Sequence, residues 1–127
     1  MESKDLSFTP LWALLDLLLS IARKELFLAV KRYEAQIALY PPKHFYDRHV
    51  DRHKLYPSRI LTMVLYFNNW QPGDAGELVL HTSDEKKIIV SPNSNKMIFF
   101  LSDLEHQVLP TNIERKSITA WFRDDVE

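Results

Sequence analysis

The sequence predicts a mainly β domain, a sandwich or barrel of short strands, braced by one N-terminal helix. Three observations carry this. From residue 45 onward, short β-rich runs alternate with turn chemistry such as Tyr56-Pro57-Ser58, Gln71-Pro72-Gly73-Asp74 and Ser91-Pro92-Asn93-Ser94-Asn95. Before them lies a single apolar stripe at helical spacing. The chain has 127 residues, 46% hydrophobic and 26% charged, which is enough for one core and too little for two.

The helix is expected over about 7–24, with Thr9 as N-cap and Pro10 in the first turn. Leu11, Leu14, Leu15, Leu18 and Ile21 recur on one face, while Trp12, Leu17 and Leu19 make other faces apolar too. The helix is therefore expected to brace a sheet and to be covered on more than one side. In 31–40, Arg32, Glu34 and Gln36 alternate with Tyr33, Ala35 and Ile37, which fits a strand ended by Pro41-Pro42, with a continuing helix as the alternative. The β-rich runs that follow are 45–50, 59–68, 77–81, 87–91, 96–101, 107–109 and 115–123, giving a β core over about 31–123. No repeat, low-complexity stretch or linker interrupts them, so one domain over 1–127 is expected.

Composition excludes several classes of function. A net charge of -1 and the lack of any Lys/Arg stripe argue against nucleic-acid binding. There is no cysteine, so any metal must be held by His, Asp and Glu. The apolar run 11–22 is interrupted by Asp16 and falls short of the roughly 20 residues that span a bilayer. The opening Met-Glu-Ser-Lys-Asp lacks the basic character of a signal peptide, so a cytoplasmic protein off the membrane is the expectation.

Within Phe45-Tyr46-Asp47-Arg48-His49-Val50-Asp51, strand alternation aims His49 and Asp51 the same way. An imidazole and a carboxylate at one point are two thirds of the two-histidine, one-carboxylate facial triad that holds Fe(II) and leaves positions open. His106 is the candidate third ligand, whereas His44, His53 and His81 read as surface. On the last strand Arg115, Ser117, Thr119 and Trp121 share one face, and Lys116, Ile118, Ala120 and Phe122 the other. A polar row inside a barrel implies a polar ligand. Arg115 suits a carboxylate bidentately, and Tyr66 can add a phenolic hydrogen bond. Plainer roles fit each residue singly: His106 as a hydrogen-bonded barrel histidine, Arg115 paired at the surface with Glu114 or Asp103, Tyr66 as core, and Trp121 as packing. A register-shifted site on Asp47 or His53 is a further alternative.

Over Tyr40 to Arg123 the chain resembles the 2-oxoglutarate and Fe(II)-dependent dioxygenases, in particular the prolyl-hydroxylase-like branch and its bacterial relatives. The resemblance rests on ordered stretches: Tyr40-Pro41-Pro42, the run through His49 and Asp51, the run from Arg59 to Trp70, Gly76-Glu77-Leu78, the run from Phe99 to Pro110, and the run from Arg115 to Phe122. It implies a double-stranded β-helix, or jelly roll. His49, Asp51 and His106 would be iron ligands, and Arg115 the partner of the far 2-oxoglutarate carboxylate. Tyr66 and Thr119 would help hold that cosubstrate, with Tyr40 and Tyr46 as pocket-lining positions and Arg59 and Trp121 on the substrate side. The implied cofactors are Fe(II), 2-oxoglutarate and O2, with ascorbate as an auxiliary reductant. The implied reaction is hydroxylation of a C–H bond with release of succinate and CO2; a prolyl residue of a protein or peptide is the expected substrate. Asp51 fits a hydroxylase, since related halogenases lack the carboxylate ligand.

Two departures stand out. Relatives carry a longer region before the strand at Tyr33, and many have a glycine pair where this chain has Ala75-Gly76. Two other classes fit the same residues: a non-catalytic jelly-roll binding module, and a cupin-type enzyme of Zn(II) or Mn(II) that needs no 2-oxoglutarate. Oligomeric state is not legible.

Overall fold

Strand alternation, repeated along the chain, leaves each run with one face to bury, and the chain meets this demand with two facing sheets. The structure is a computed structural model and describes residues 9–126. Its elements are α1 (Thr9–Lys24), β1 (Arg32–Tyr40), β2 (Tyr46–His49), β3 (Arg59–Tyr66), β4 (Leu78–His81), β5 (Lys87–Val90), β6 (Met97–Leu101), β7 (Glu105–Val108) and β8 (Arg115–Arg123). They form two four-stranded sheets, ordered β1-β8-β3-β6 and β2-β7-β4-β5, with every named strand pair antiparallel. Apart from the β4–β5 hairpin, each connection crosses from one sheet to the other. That is the jelly roll.

Burial is divided between two clusters. Outside the first sheet, Leu15 and Ala22 of α1 meet Leu61, Met63, Ala120 and Phe122, with Val30 closing the cluster. Between the sheets, Val64, Tyr66, Leu78, Leu80, Phe100 and Val108 form the other. Strand β8 serves both. Its outward Ala120 and Phe122 are fully buried under the helix, and its inward side faces the second sheet.

The strand reading of 31–40 holds, since β1 pairs with β8 along its whole length. Other expectations are corrected. The sheet takes a broad face of α1, through Leu11, Trp12, Leu15, Leu18, Leu19 and Ala22, so Trp12 and Leu19 are covered as expected, whereas Leu17 and Ile21 remain exposed at 57% and 40%. The expected helix start at Ser7 lies outside the described residues. Strand β2 stops at His49, because the amides of Asp51 and Arg52 both turn to the Ser102 carbonyl, at 2.9 and 2.8 Å. Strand β7 starts at Glu105, where the turn closed by Leu104 N–H on the Leu101 carbonyl ends, and so includes His106. His81 is not a surface residue. It is buried, with its Nε2 2.7 Å from the Gln107 side-chain oxygen across β4 and β7. No helix among the described residues is long and apolar enough to cross a membrane.

Candidate active site

Three potential ligand atoms meet where β2 and β7 run side by side. His49 and His106 are paired in register, which brings their rings to 4.2 Å between centroids. Asp51 arrives from the bend after β2, and its Oδ1 lies 3.4 Å from His49 Nε2 and 3.3 Å from His106 Nε2. Among the described residues this is the group that could hold a metal ion. Ligands about 2.1 Å from a shared metal and at right angles sit about 3 Å apart, close to these separations.

Hydrogen bonds orient each ligand. His49 Nδ1 is 2.7 Å from the Asp47 carbonyl and His106 Nδ1 is 2.9 Å from the Leu104 carbonyl. A carbonyl only accepts, so each Nδ1 carries a proton and each Nε2 is left facing Asp51, as a donor in the protonated ring or as a lone pair toward a shared cation. Without a proton or a cation between them, three acceptors so close would repel one another. The second carboxylate oxygen of Asp51 accepts from Thr62 Oγ1 at 2.8 Å, and Thr62 is itself 2.8 Å from Ser102 Oγ. Burial pushes the Asp51 carboxyl up, yet the bonds from His106, His49 and Thr62 outweigh it and hold the group well below the usual carboxylate range.

A second charged group faces the same cavity, whose volume is about 520 Å³. Arg115 is 3% exposed, and among the described residues no carboxylate lies within ion-pair reach of it. Its Nε donates to the Gly76 carbonyl at 2.7 Å and its Nη2 to Tyr66 Oη at 3.4 Å. Its guanidinium carbon stands 5.3 Å from the Tyr40 ring centre and 5.1 Å from that of Tyr66. Burial raises the Tyr40 and Tyr66 phenols against the lowering effect of Arg115, so both keep their protons at neutral pH. A buried cation beside two protonated phenols has the chemistry to take an anion. Gly76 makes the approach possible: with φ +76, a Cβ there would meet Thr111 at 2.9 Å and Arg115 Cδ at 3.3 Å. Ala75, just before it, also lies in the left-handed region, with φ 60.

Toward the other end of β8, Thr119 lines the cavity and Trp121 pairs with Glu34 on one side and Thr62 on the other. Arg59 is clamped, its guanidinium carbon 3.9 Å from the centres of both the Tyr56 and Trp121 rings. Its Nε donates to Glu34 at 2.7 Å, and Glu34 also accepts from Arg123 at 3.0 Å. Tyr46 packs on His49 rather than on Arg115, with ring centroids 4.0 Å apart and half of its surface exposed.

The cavity thus gathers His49, Asp51, His106, Arg115, Tyr66, Thr119, Tyr40, Tyr46, Arg59 and Trp121 in one wall system. Asp47 lies on β2 and is exposed, and His53 is exposed at the cavity rim, so neither offers a register-shifted ligand set. The sequence reading missed the residues that hold the others: Thr62 and Ser102 behind Asp51, Gly76 behind Arg115, and Glu34 behind Arg59. Thr62 had a visible signal, two positions before Val64 and four before Tyr66 on the inward face of β3, and so did Glu34, two before Gln36 on the cavity-lining face of β1.

Comparisons with known proteins agree with this geometry. Residues 35–123 match the model of the 2OG-Fe(II) oxygenase superfamily. A hypoxia-inducible factor prolyl hydroxylase of Caenorhabditis elegans is 32% identical over 102 residues, which are 76% of this chain and 14% of that protein. The crystal structure of a Pseudomonas putida prolyl-4-hydroxylase is 36% identical with a TM-score of 0.90, covering 98% of this chain and 71% of that one. A Trichoplax adhaerens prolyl hydroxylase, in complex with a peptide fragment of the hypoxia inducible factor oxygen degradation domain, is 28% identical with a TM-score of 0.81. There the match covers 90% of this chain and 55% of that one, so this chain spans only part of these relatives.

Proposed function

This chain belongs to the 2OG-Fe(II) oxygenase superfamily, and on that premise we propose that it is an Fe(II)- and 2-oxoglutarate-dependent dioxygenase that hydroxylates a prolyl residue of a protein or peptide. The observation that carries the reading is the buried Arg115 cation, without a carboxylate partner among the described residues, in the same cavity as His49, Asp51 and His106. A metal enzyme with no dicarboxylate to bind has no use for such a cation, whose burial is costly. This favours the dioxygenase over a cupin-type enzyme.

His49 Nε2, Asp51 Oδ1 and His106 Nε2 are assigned as the iron ligands. Arg115 Nη atoms hold the far carboxylate of 2-oxoglutarate, and the Tyr66 and Tyr40 phenols donate beside it, while Thr119 lines the same inward face. Bound together, Fe(II) and 2-oxoglutarate would supply the oxidising chemistry, turning 2-oxoglutarate and O2 into succinate and CO2 with one oxygen atom passing to the substrate. Val64, Leu78, Phe100 and Val108 wall the cavity with apolar surface and keep water from the reacting groups. Arg59 and Trp121 stand on the substrate side. The prolyl substrate draws support from the prolyl hydroxylases among the relatives and from the peptide bound to one of them.

Anaerobic absorption spectroscopy of the purified apoprotein tests the site without knowledge of the substrate. A weak visible charge-transfer band is expected after Fe(II) and then 2-oxoglutarate, with no band in His106→Ala. In Arg115→Ala the band should require far more 2-oxoglutarate. Well-folded protein without a band would overturn the assignment.

A further inference from the structure

Among the described residues, the cavity wall contains one buried side-chain polar atom that the fold leaves unsatisfied. The Trp121 indole Nε1 is sealed from solvent and has no hydrogen-bond partner among them, in a residue only 8% exposed. Buried donors without partners cost about 1–3 kcal/mol and are few in native interiors. Among the described residues nothing accepts from it: Glu34, its neighbour on β1, turns Oε1 to Arg59 and Arg123, and the hydroxyl of Thr62, its neighbour on β3, is directed to Asp51 and Ser102.

The position of the indole gives its donor a purpose. Trp121 sits beside the residue that holds the Asp51 ligand carboxylate, and it lines the same cavity as Arg115, Ser117 and Thr119. Side chains stack on its ring: the Arg59 guanidinium lies over the indole, and the exposed Tyr56 lies over Arg59. The charged groups beside this N–H are already paired with one another, Glu34 with Arg59 and Arg123, so an uncharged acceptor such as a carbonyl satisfies the donor without unbalancing them.

We propose that Trp121 Nε1–H is a specificity-determining donor that binds a main-chain carbonyl flanking the target residue of a peptide, reached when the Arg59 and Tyr56 cover shifts. The proposal rests on the peptide-hydroxylase reading above and names the polar contact through which that site takes hold of an amide backbone. A peptide side chain alone, or a free amino acid lacking a flanking amide, leaves the donor unsatisfied and is discriminated against.

The test uses protein loaded with Mn(II) and 2-oxoglutarate, so that no turnover occurs, and follows the paramagnetic relaxation of proline protons in acetyl-Ala-Pro-Gly-amide. Two analogues carry a thioamide, a weaker acceptor of similar shape, at the alanyl or the prolyl carbonyl. One of them should bind wild-type protein about fivefold or more weakly than the parent peptide, the scale of one neutral hydrogen bond. In Trp121→Phe, which keeps an aromatic face for Arg59, the same pair should bind equally. Undiminished discrimination in that variant would overturn the proposal. Wild-type protein that treats all three peptides alike would also overturn it, and that arm does not depend on how the variant folds. If the Fe(II) and 2-oxoglutarate band forms but no peptide binds, the prolyl-peptide substrate and this donor role fail together while the dioxygenase site stands; a missing band removes the dioxygenase reading itself.

Discussion

Replacing Gly76 by alanine should damage the anion site from a position that carries no functional side chain. Gly76 has φ +76, where a non-glycine residue costs roughly 1–2 kcal/mol. The new Cβ would also meet Thr111 Cβ and Oγ1 at 2.9 Å, below any normal contact. Thr111 has little room to yield, being 1% exposed with its hydroxyl on the Ile113 carbonyl at 2.8 Å. Overpacking of this kind adds about 1–3 kcal/mol. Together these give about 2–5 kcal/mol, a large share of the roughly 5–15 kcal/mol that holds an ordinary domain together. The site suffers separately, because the Gly76 carbonyl takes the Arg115 Nε proton at 2.7 Å and the Cβ would press on Arg115 Cδ at 3.3 Å. Losing one charge-assisted bond, worth about 1.5–3 kcal/mol, weakens 2-oxoglutarate roughly 10- to 100-fold. Thermal unfolding and calorimetric titration of the Mn(II) protein with 2-oxoglutarate read the two effects. Ala75→Gly is the control, since Ala75 holds φ 60 without supporting Arg115, and it should bind normally and melt no lower than wild type. Gly76→Ala with wild-type melting and wild-type affinity would refute the reasoning.

Two further outcomes follow from the bonds behind the site. Thr62→Val removes the hydroxyl that donates to Asp51 at 2.8 Å while keeping shape, so Mn(II) affinity should fall about 10- to 100-fold with the fold retained, as metal titration followed by relaxation would show; unchanged affinity would mean that Thr62 does not position Asp51. The hydrogen bond from Arg123, and then that from Arg32, hold the Asp125 carboxyl well below the usual range. A depressed folded pKa stabilises above the unfolded value of about 3.9 and is lost as pH falls through the folded one, so wild type should lead Asp125→Asn in urea midpoint at pH 7, and the lead should begin to shrink below about pH 4 and go on shrinking as the pH falls further. A lead independent of pH would refute this.

How far the sequence could be read depended on whether a feature is local or brought together by the fold. Strand β8 was legible to the residue, because period-two alternation across 115–123 separates Arg115, Ser117, Thr119 and Trp121 from Ile118, Ala120 and Phe122 without knowledge of any partner. The convergence of His49 and Asp51 was legible too, though for an incomplete reason. Alternation would place them on one face of a strand, yet the strand ends at His49, and Asp51 is aimed by backbone bonds to Ser102 and a side-chain bond to Thr62. Those partners lie 11 to 51 positions away, beyond the reach of local pattern. The same limit explains His81, whose burial comes from pairing between β4 and β7, and Leu17, whose exposure reflects which face of α1 the sheet accepts.

The two clusters explain how so polar a wall can be tolerated. Strand β8 alternates between a face that buries Ala120 and Phe122 under α1 and a face that presents Arg115, Ser117, Thr119 and Trp121 to the cavity. Apolar stabilisation on the outward side does not depend on what the inward side binds, so inward positions are free to hold a lone cation, a metal-ready triad and an unsatisfied indole. Along that inward side the partners also divide. Arg115 is paired with Tyr40 at one end, and Trp121 is paired with Thr62, the support of Asp51, toward the other. Between them stand only Ser117 and Thr119, small enough to leave space. On the proposed function, a dicarboxylate held by Arg115 and reaching toward Asp51 would lie across those two residues, which would leave the Trp121 and Arg59 end for the molecule that is oxidised. The order of side chains on one strand would then set the order of ligands in the cavity.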